Sequence, residues 1–178
     1  ETAAGVAHPS AQRSEDGRTE TGVKRAQDRM KIPESVLVVI YTPALDTLII
    51  ERADQPGFWQ SVTGSKAALD EPLRTVCVRE LAEETGLRVS ADQLDDWNVS
   101  HSFAIYEQWR HRYASGVTHN TEHVFGLCWP HRFEPQLNPL EHVRYRWLPW
   151  RDAADACFSW TNAESIRRLG QLEANRSA

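Results

Sequence analysis

The feature that most constrains this chain is a glycine loop followed by a glutamate-rich helix. The segment GSKAALDEPLRTVCVRELAEETGL, residues 64–87, predicts a helix from about Glu71 to Thr85. Pro72 suits the first turn, where its missing N–H costs little, and Gly86 suits a C-terminal cap. A helix bounded in this way has to bury one face against the rest of its domain.

The inward face of this predicted helix changes character halfway along. Its first half carries an apolar stripe at helical spacing, formed by Leu73, Val76 and Cys77. The same stripe continues as Glu80 and Glu84, with a third glutamate on its flank. The buried face of the helix therefore passes from apolar to acidic, which an ordinary core helix does not do.

Three carboxylates near a helix C-terminus are unfavourable by themselves. Like charges one turn apart, such as Glu80 and Glu84, destabilise a helix by roughly 0.2–0.5 kcal/mol. Each anion also opposes the helix dipole, by roughly 0.3–1 kcal/mol, and the helical spacing predicts that Arg79 points away. A divalent cation removes these costs, and an all-oxygen cluster suits Mg²⁺ or Mn²⁺. From the helix alone, the alternative is a solvated acidic face.

The rest of the chain mixes strand and helix patterns. Strands are predicted at 35–41, 47–53, 59–64, 97–107, 120–129 and 144–149, and helical patterns at 151–158 and 162–175. This mixture indicates a three-layer α/β arrangement. Residues 1–31 contain no Leu, Ile, Phe, Trp or Tyr, which predicts a disordered tail before one domain at 32–178. Met30 is the only methionine, and one hypothesis is that translation starts there.

Composition excludes some partners and favours one compartment. The formal net charge of −5 argues against a general nucleic-acid binder or a membrane-surface binder. No apolar run approaches the roughly 18 residues of a membrane span. The three cysteines, Cys77, Cys128 and Cys157, are far apart and form no C-x-x-C pair, which favours a reducing cytoplasm.

The segment 64–87 resembles the Nudix box, G-x5-E-x7-R-E-U-x-E-E-x-G-U, in which U is aliphatic. The matching positions are Gly64, Glu71, Arg79, Glu80, Leu81, Glu83, Glu84, Gly86 and Leu87. The departure is one extra residue between Gly64 and Glu71, so either the loop is longer or Asp70 takes the upstream acidic role. The resemblance implies a Nudix-type α/β/α sandwich with a mixed sheet.

More of the chain, from about Lys31 to Ile166, resembles the bacterial dihydroneopterin triphosphate pyrophosphatases of the Nudix family. The segments that carry this resemblance are SVLVVIY, FWQSVTGS, RHRYASGVTHNTEH, EHVRYRWL and SWTN. It implies Mg²⁺-dependent hydrolysis of 7,8-dihydroneopterin 3′-triphosphate to the monophosphate and pyrophosphate, a step toward folate. The box residues act on the diphosphate part of a substrate and do not select its ring. A housecleaning (d)NTP pyrophosphohydrolase therefore stays an alternative. A non-catalytic nucleotide sensor is the second alternative.

The resemblance also implies roles for individual residues of the acidic site. Glu80 and Glu84 become metal ligands, and Glu141 joins them from a later loop. Glu83 is a further ligand or the base that activates water, and Arg79 orients the carboxylates. From the residues alone, Glu141 is an ordinary surface acid.

Contacts to a small-molecule triphosphate are assigned more broadly. Lys31 and Arg52 are expected to neutralise phosphate charge, and Thr63 offers a hydroxyl near the box. Phe103, Ala104, Ile105 and Tyr106 are expected to form an apolar wall for the pterin, with packing into the core as the alternative. Ser159 either donates to the base or caps the last helix.

The segment RHRYASGVTHNTEH is predicted to be a mobile loop over the phosphates, with a hairpin of solvated charges as the alternative. Its candidate ligands are His111, Arg112 and His119. Nothing in the residues predicts an oligomeric state.

Overall fold

The computed structural model describes residues 30–176, so almost all of the predicted tail lies outside the described residues. The strands are β1 (Glu34–Tyr41), β2 (Asp46–Arg52), β3 (Trp59–Gln60), β4 (Val62–Ser65), β5 (Asp95–Ala104), β6 (His119–Cys128) and β7 (His142–Pro149). The α-helices are α1 (Leu73–Thr85), α2 (Trp150–Ala156), α3 (Trp160–Arg167) and α4 (Leu169–Arg176). Short 3₁₀ helices span Ala91–Gln93 and Glu107–Arg112.

The strands form one mixed sheet that is splayed at one end. Strand β1 runs parallel to β6, and β5 continues the sheet antiparallel to β6. Strands β1 and β2 pair at Tyr41 and Thr47. Towards their other ends, β3 pairs with β2 and β4 pairs with β1, so the segment 59–65 is wedged between them. Strand β7 lies along the opposite side of β2.

Helices cover both faces of this sheet, which confirms the predicted α/β/α sandwich. Successive side chains of a strand point to opposite faces, so β1 contributes to two cores. Val36, Val38 and Ile40 belong to the core beneath α1. Leu37 and Val39 belong to the core beneath α2, α3 and α4. Each fully buried aliphatic side chain contributes about 1.5–3 kcal/mol, so the two cores anchor the helices firmly.

The helix boundaries differ from the predicted ones for local reasons. Helix α1 begins at Leu73, because Pro72 is extended with ψ 138° and stands at the N-cap position. Gly86 caps the other end as predicted, with φ 71° in the left-handed region. The predicted helix at 162–175 is two helices, α3 and α4, which meet at Arg168.

The end of the predicted tail has backbone contacts. The Lys31 N–H donates to the carbonyl of Arg112 at 2.8 Å, and Lys31 forms a parallel bridge with Tyr113. The N-terminal end of the described residues is therefore held against the segment before β6. Among residues 30–176, no helix is both long and apolar enough to cross a membrane.

Candidate active site

A cavity of about 970 Å³ opens beside the splayed end of the sheet. Its lining residues fall into an acidic wall, a basic wall, an aromatic and apolar wall, and a polar floor. Helix α1 supplies the acidic wall, and the ends of β1, β5 and β6 supply much of the rest. A cavity of this size suits a small organic molecule.

The acidic wall is built around a close contact between Glu80 and Gly64. A β-carbon at Gly64 would lie 1.8 Å from the Glu80 Cδ atom, so only glycine leaves room for this carboxyl. Glu80 is 7% exposed, and burial, with the charge of Glu84 adding to it, raises its pKa to about 7. The glycine at the start of the box therefore leaves the space that this buried carboxylate occupies.

Arg79 contacts several box carboxylates, whereas its helical position had predicted that it points away. Its Nη1 donates to Glu80 Oε1 at 2.6 Å and to Glu83 Oε2 at 3.3 Å. Its Nε donates to Glu71 Oε1 at 3.2 Å, and its Nη2 donates to the Ser65 carbonyl at 3.0 Å. The side chain is long enough to bend back over the loop, which spacing on a helical wheel does not capture.

Glu71, rather than Asp70, is the upstream acid that contacts Arg79. Its carboxylate also accepts from the Ala67 N–H, which closes the loop between β4 and α1. Burial opposes the shift, yet the Ala67 N–H and Arg79 hold the pKa of Glu71 below its usual value. For Arg79, burial also opposes the shift, and its bond to Glu71 and the charge of Glu80 raise its pKa.

Glu84, Glu141 and His142 bring one ligand atom each to within 4.8 Å of one another. Glu84 is 4% exposed and His142 is 2% exposed, and Glu84 Oε1 lies 3.2 Å from His142 Nε2. Burial raises the pKa of Glu84, although His142 opposes this. Carboxylates and an imidazole are ligands of divalent metals, and the buried Nδ1 of His142 has no partner among the described residues. This group could therefore hold a metal ion.

His142 was missed by the sequence reasoning. It follows Glu141 directly and begins β7, where it pairs with Arg52 of β2. The Glu141 carbonyl also accepts from the Ala53 N–H at 2.8 Å, and Asn138 Nδ2 donates to Glu141 Oε1 at 3.0 Å. The only sequence signal was a histidine beside a predicted ligand.

Basic side chains line the same cavity as the acidic ones. Burial, and then the charge of Arg112, lower the pKa of Lys31. Arg52 pairs with Asp54 at 2.7 Å, and its guanidinium lies 4.7 Å from the centre of the Trp109 ring. Lys31, Arg52 and Arg112 all line the cavity, together with Lys66, which the sequence reasoning did not single out.

The apolar wall contains the four residues predicted for it. Phe103, Ala104, Ile105 and Tyr106 all line the cavity, at the end of β5 and in the turn that follows. Tyr106 packs edge-on against Trp109, with ring centroids 5.4 Å apart, and Trp109 packs edge-on against Phe158. Aromatic faces are thus presented beside the basic wall.

The polar floor includes Ser35, Asn120, Glu122, Ser159, Thr161 and Asn162. Ser159 caps α3 by accepting from the Asn162 N–H at 3.3 Å, so the capping role predicted for it is the one the structure shows. The Thr63 hydroxyl accepts from Gln60 Nε2 at 3.1 Å, while the Thr63 N–H donates to Glu84 Oε2 at 3.3 Å. Asn120 and Glu122 were not singled out from the sequence.

The predicted loop over the phosphates is divided between structured elements. His111 and Arg112 end the 3₁₀ helix Glu107–Arg112, and His119 begins β6. Of these three, Arg112 lines the cavity. The His119 Nδ1 lies 2.9 Å from the Thr118 hydroxyl.

The fold, the box and the acidic wall together define a Nudix protein. A model of the NUDIX domain family matches residues 31–169, and the chain belongs to this family. It is 44% identical over 144 residues to dihydroneopterin triphosphate diphosphatase of Escherichia coli (strain K12), covering 78% of this chain and 93% of that protein. It is 40% identical over 140 residues to the Haemophilus influenzae enzyme of the same name, covering 76% and 85% respectively.

A solved structure agrees with these sequence relatives. The dihydroneopterin triphosphate pyrophosphohydrolase of E. coli superimposes with a TM-score of 0.72 at 41% identity. The match covers 78% of this chain and 95% of that chain. The arrangement of elements in this chain is therefore that of the Nudix fold.

Proposed function

We propose that this protein hydrolyses 7,8-dihydroneopterin 3′-triphosphate to dihydroneopterin monophosphate and pyrophosphate, in a step toward folate. The observation that carries this proposal is one cavity that joins an acidic group to basic, aromatic and polar walls. Such a cavity fits a triphosphate at one end and a flat bicyclic ring at the other. The names of the relatives that match most of the chain support the same substrate.

Glu80, Glu84 and Glu141 would hold Mg²⁺, with His142 as a fourth candidate and Mn²⁺ as the alternative ion. The two carboxylates and the imidazole of Glu84, Glu141 and His142 fit a divalent cation, and Glu80 lines the same cavity. When bound, the ion would offset phosphate charge and lower the pKa of a coordinated water.

Glu83 is the residue we assign as general base. It is the most exposed box glutamate, with 53% of its side chain accessible, and it lines the cavity. It can accept the proton of the attacking water. Arg79 positions the site, because it holds Glu71, Glu80 and Glu83 together through one guanidinium.

The substrate would lie between the remaining walls. Lys31, Arg52 and Arg112 would neutralise the phosphates that face them. Thr63 borders the phosphate end through its contact with Glu84. The apolar wall, from Phe103 to Tyr106, would cover the pterin, and Ser159 would border it from the polar floor.

A panel of triphosphates assayed with Mg²⁺ for pyrophosphate release tests this function. We expect kcat/KM for dihydroneopterin triphosphate to exceed that for dATP, dGTP and an oxidised purine nucleotide by at least about tenfold. A deoxynucleotide that outpaces the pterin would establish the housecleaning alternative. Binding without turnover would instead establish the nucleotide sensor, although all three box glutamates are present.

We also place this activity in the cytoplasm. The wide spacing of the three cysteines and the buried position of Cys77 support a reducing compartment. The substrate is a small molecule, and the acidic net charge of −5 gives no support for a nucleic-acid partner.

A further inference from the structure

The floor of the cavity holds a carboxylate that the proposed chemistry does not use. Glu122 lies on β6, opposite Ser35 of β1 and opposite His101 of β5. Asn120 is two residues earlier on the same strand and so faces the same side of the sheet. Both side chains line the cavity, away from the glutamates of α1.

Both side chains are buried and each has an acceptor without a partner. Glu122 is 5% exposed and Asn120 is 3% exposed. Within residues 30–176, Glu122 Oε2 and Asn120 Oδ1 have no hydrogen-bond partner. The amide nitrogen of Asn120 is already used, because it donates to the Ser35 hydroxyl at 2.7 Å. The floor therefore holds two acceptors, on neighbouring side chains, that no donor of the described residues satisfies.

An ordinary structural role does not account for this arrangement. Buried acceptors are normally satisfied, and a buried carboxylate that lacks a cationic partner is costly. Burial raises the pKa of Glu122 to about 7, and the Thr161 hydroxyl opposes this only in part. Two unpaired acceptors on side chains that line a cavity are explained by a ligand that brings N–H donors.

We propose that Glu122 and Asn120 recognise the ligand ring, and that they select a 2-amino-4-oxopyrimidine edge. This edge is shared by pterins and guanine and presents a ring N–H directly beside an amino group. The two donors match a carboxylate as a parallel pair of charge-assisted hydrogen bonds. Adenine instead places a ring-nitrogen acceptor beside its amino group, and that lone pair would face the carboxylate.

The surroundings of the floor suit a flat ring in this orientation. Phe103 lies directly opposite Asn120 in the pairing of β5 with β6, so its ring flanks the same side of the sheet. Trp160, which also lines the cavity, packs edge-on against His101 with ring centroids 5.2 Å apart. The inference rests on the proposed function, because it assumes that the phosphates occupy the acidic and basic walls.

The test compares two nucleotides that differ only in the amino group that Glu122 is proposed to bind. Dissociation constants of dGTP and dITP, which lacks the 2-amino group, are measured by calorimetry with the full chain. We expect wild-type protein to bind dGTP about 10- to 100-fold more tightly, as expected for a charge-assisted hydrogen bond. In Glu122→Gln the ratio should fall to within about twofold of unity, whereas Glu164→Gln, an exposed control on α3, should retain it.

This experiment tests the proposed recognition of the ring independently of the proposed hydrolytic function. Equal affinity of the wild type for dGTP and dITP, or a ratio that survives in Glu122→Gln, would overturn it. If Glu122→Gln does not fold, the wild-type comparison still tests the proposal, because equal affinity for dGTP and dITP would overturn it. Failure of the proposed function would appear instead as a lack of pyrophosphate release from dihydroneopterin triphosphate, which this binding ratio does not depend on.

Discussion

Glu84 is the most deeply buried of the box carboxylates and contacts two other parts of the site. It accepts from the Thr63 N–H and lies against His142. We predict that Glu84→Gln lowers kcat/KM by at least about 10²–10³-fold, because a neutral amide would weaken the proposed metal site. Steady-state assays at saturating Mg²⁺ would measure the loss.

The same variant separates metal binding from folding. Mg²⁺ at about 100 times its dissociation constant should stabilise the wild type by about 2.7 kcal/mol. Glu84→Gln should lose most of this gain, and the exposed Glu164→Gln control should keep it. Unchanged turnover in Glu84→Gln would show that the site is assigned incorrectly.

Gly64 is required because a neighbouring carboxyl group occupies the space that any side chain would need. In Gly64→Ala the new methyl group would displace the Glu80 carboxyl, at a cost of about 1–3 kcal/mol in the free energy of unfolding. Activity should fall at least about tenfold, since a positioned carboxylate is moved. Urea unfolding and steady-state kinetics would measure both effects.

A double variant shows whether the clash is the cause. Introducing Gly64→Ala into a Glu80→Ala background should cost much less stability than introducing it into the wild type, since the contacting atoms are absent. An equal cost in both backgrounds would assign the destabilisation to the loop rather than to Glu80.

At the scale of elements, the side chain of Asn162 connects α3 to the strand segment 59–65. Asn162 Oδ1 accepts from the Ser61 N–H at 2.7 Å, and Asn162 is 3% exposed. We predict that Asn162→Ala lowers the free energy of unfolding by about 1–3 kcal/mol, because a buried N–H loses its partner. Urea unfolding would measure it, with Glu164→Ala on the exposed face of α3 as the control. A cost no larger than that of the control would rule out this connection.

The elements themselves were largely predictable because their patterns are local. The buried run of β1, the strand pattern at 59–64 and the apolar stripe of α1 each follow from residues that are close in sequence. The break between α3 and α4 was not predictable, because the apolar spacing continues across it. The hydrogen bond of Asn162 was not predicted, because nothing near Asn162 in sequence indicates a partner in the segment 59–65.

At the scale of the whole molecule, the stability of the fold should depend on pH through Glu122. Its pKa is about 7 in the fold against a usual value of 4.5, so the folded state holds the proton more tightly. Stability from this group is therefore lost as pH rises from about 4.5 to 7. Glu122→Gln removes the ionisation, so its stability relative to wild type should rise over this window, by at most about 3 kcal/mol.

Urea unfolding at pH 5, 6, 7 and 8 without Mg²⁺ would measure this difference. The difference should level off about one pH unit above 7, because the wild-type carboxylate is only half ionised at its pKa. Glu164→Gln should show no comparable trend, because Glu164 is exposed. A difference between Glu122→Gln and wild type that does not change with pH would contradict the prediction.

The sequence by itself determined the acidic wall of the cavity. Gly64, Glu80 and Glu84 lie within one loop and one helix, and the helical periodicity places the two glutamates on one face. The resemblance to the Nudix box therefore identified them with their spacing, and the sandwich fold followed from the alternation of strands and helices.

Only the tertiary structure decided how residues of other elements complete the cavity, although the resemblance had already implied Glu141. Glu141 and His142 reach Glu84 because β7 pairs with β2, and Glu122 meets Ser35 because β6 runs parallel to β1. Strand pairing joins residues far apart in the chain, so no local pattern marks them. Burial then sets the chemistry of these residues. A carboxylate has a raised pKa and an acceptor without a partner only after other elements have packed over it.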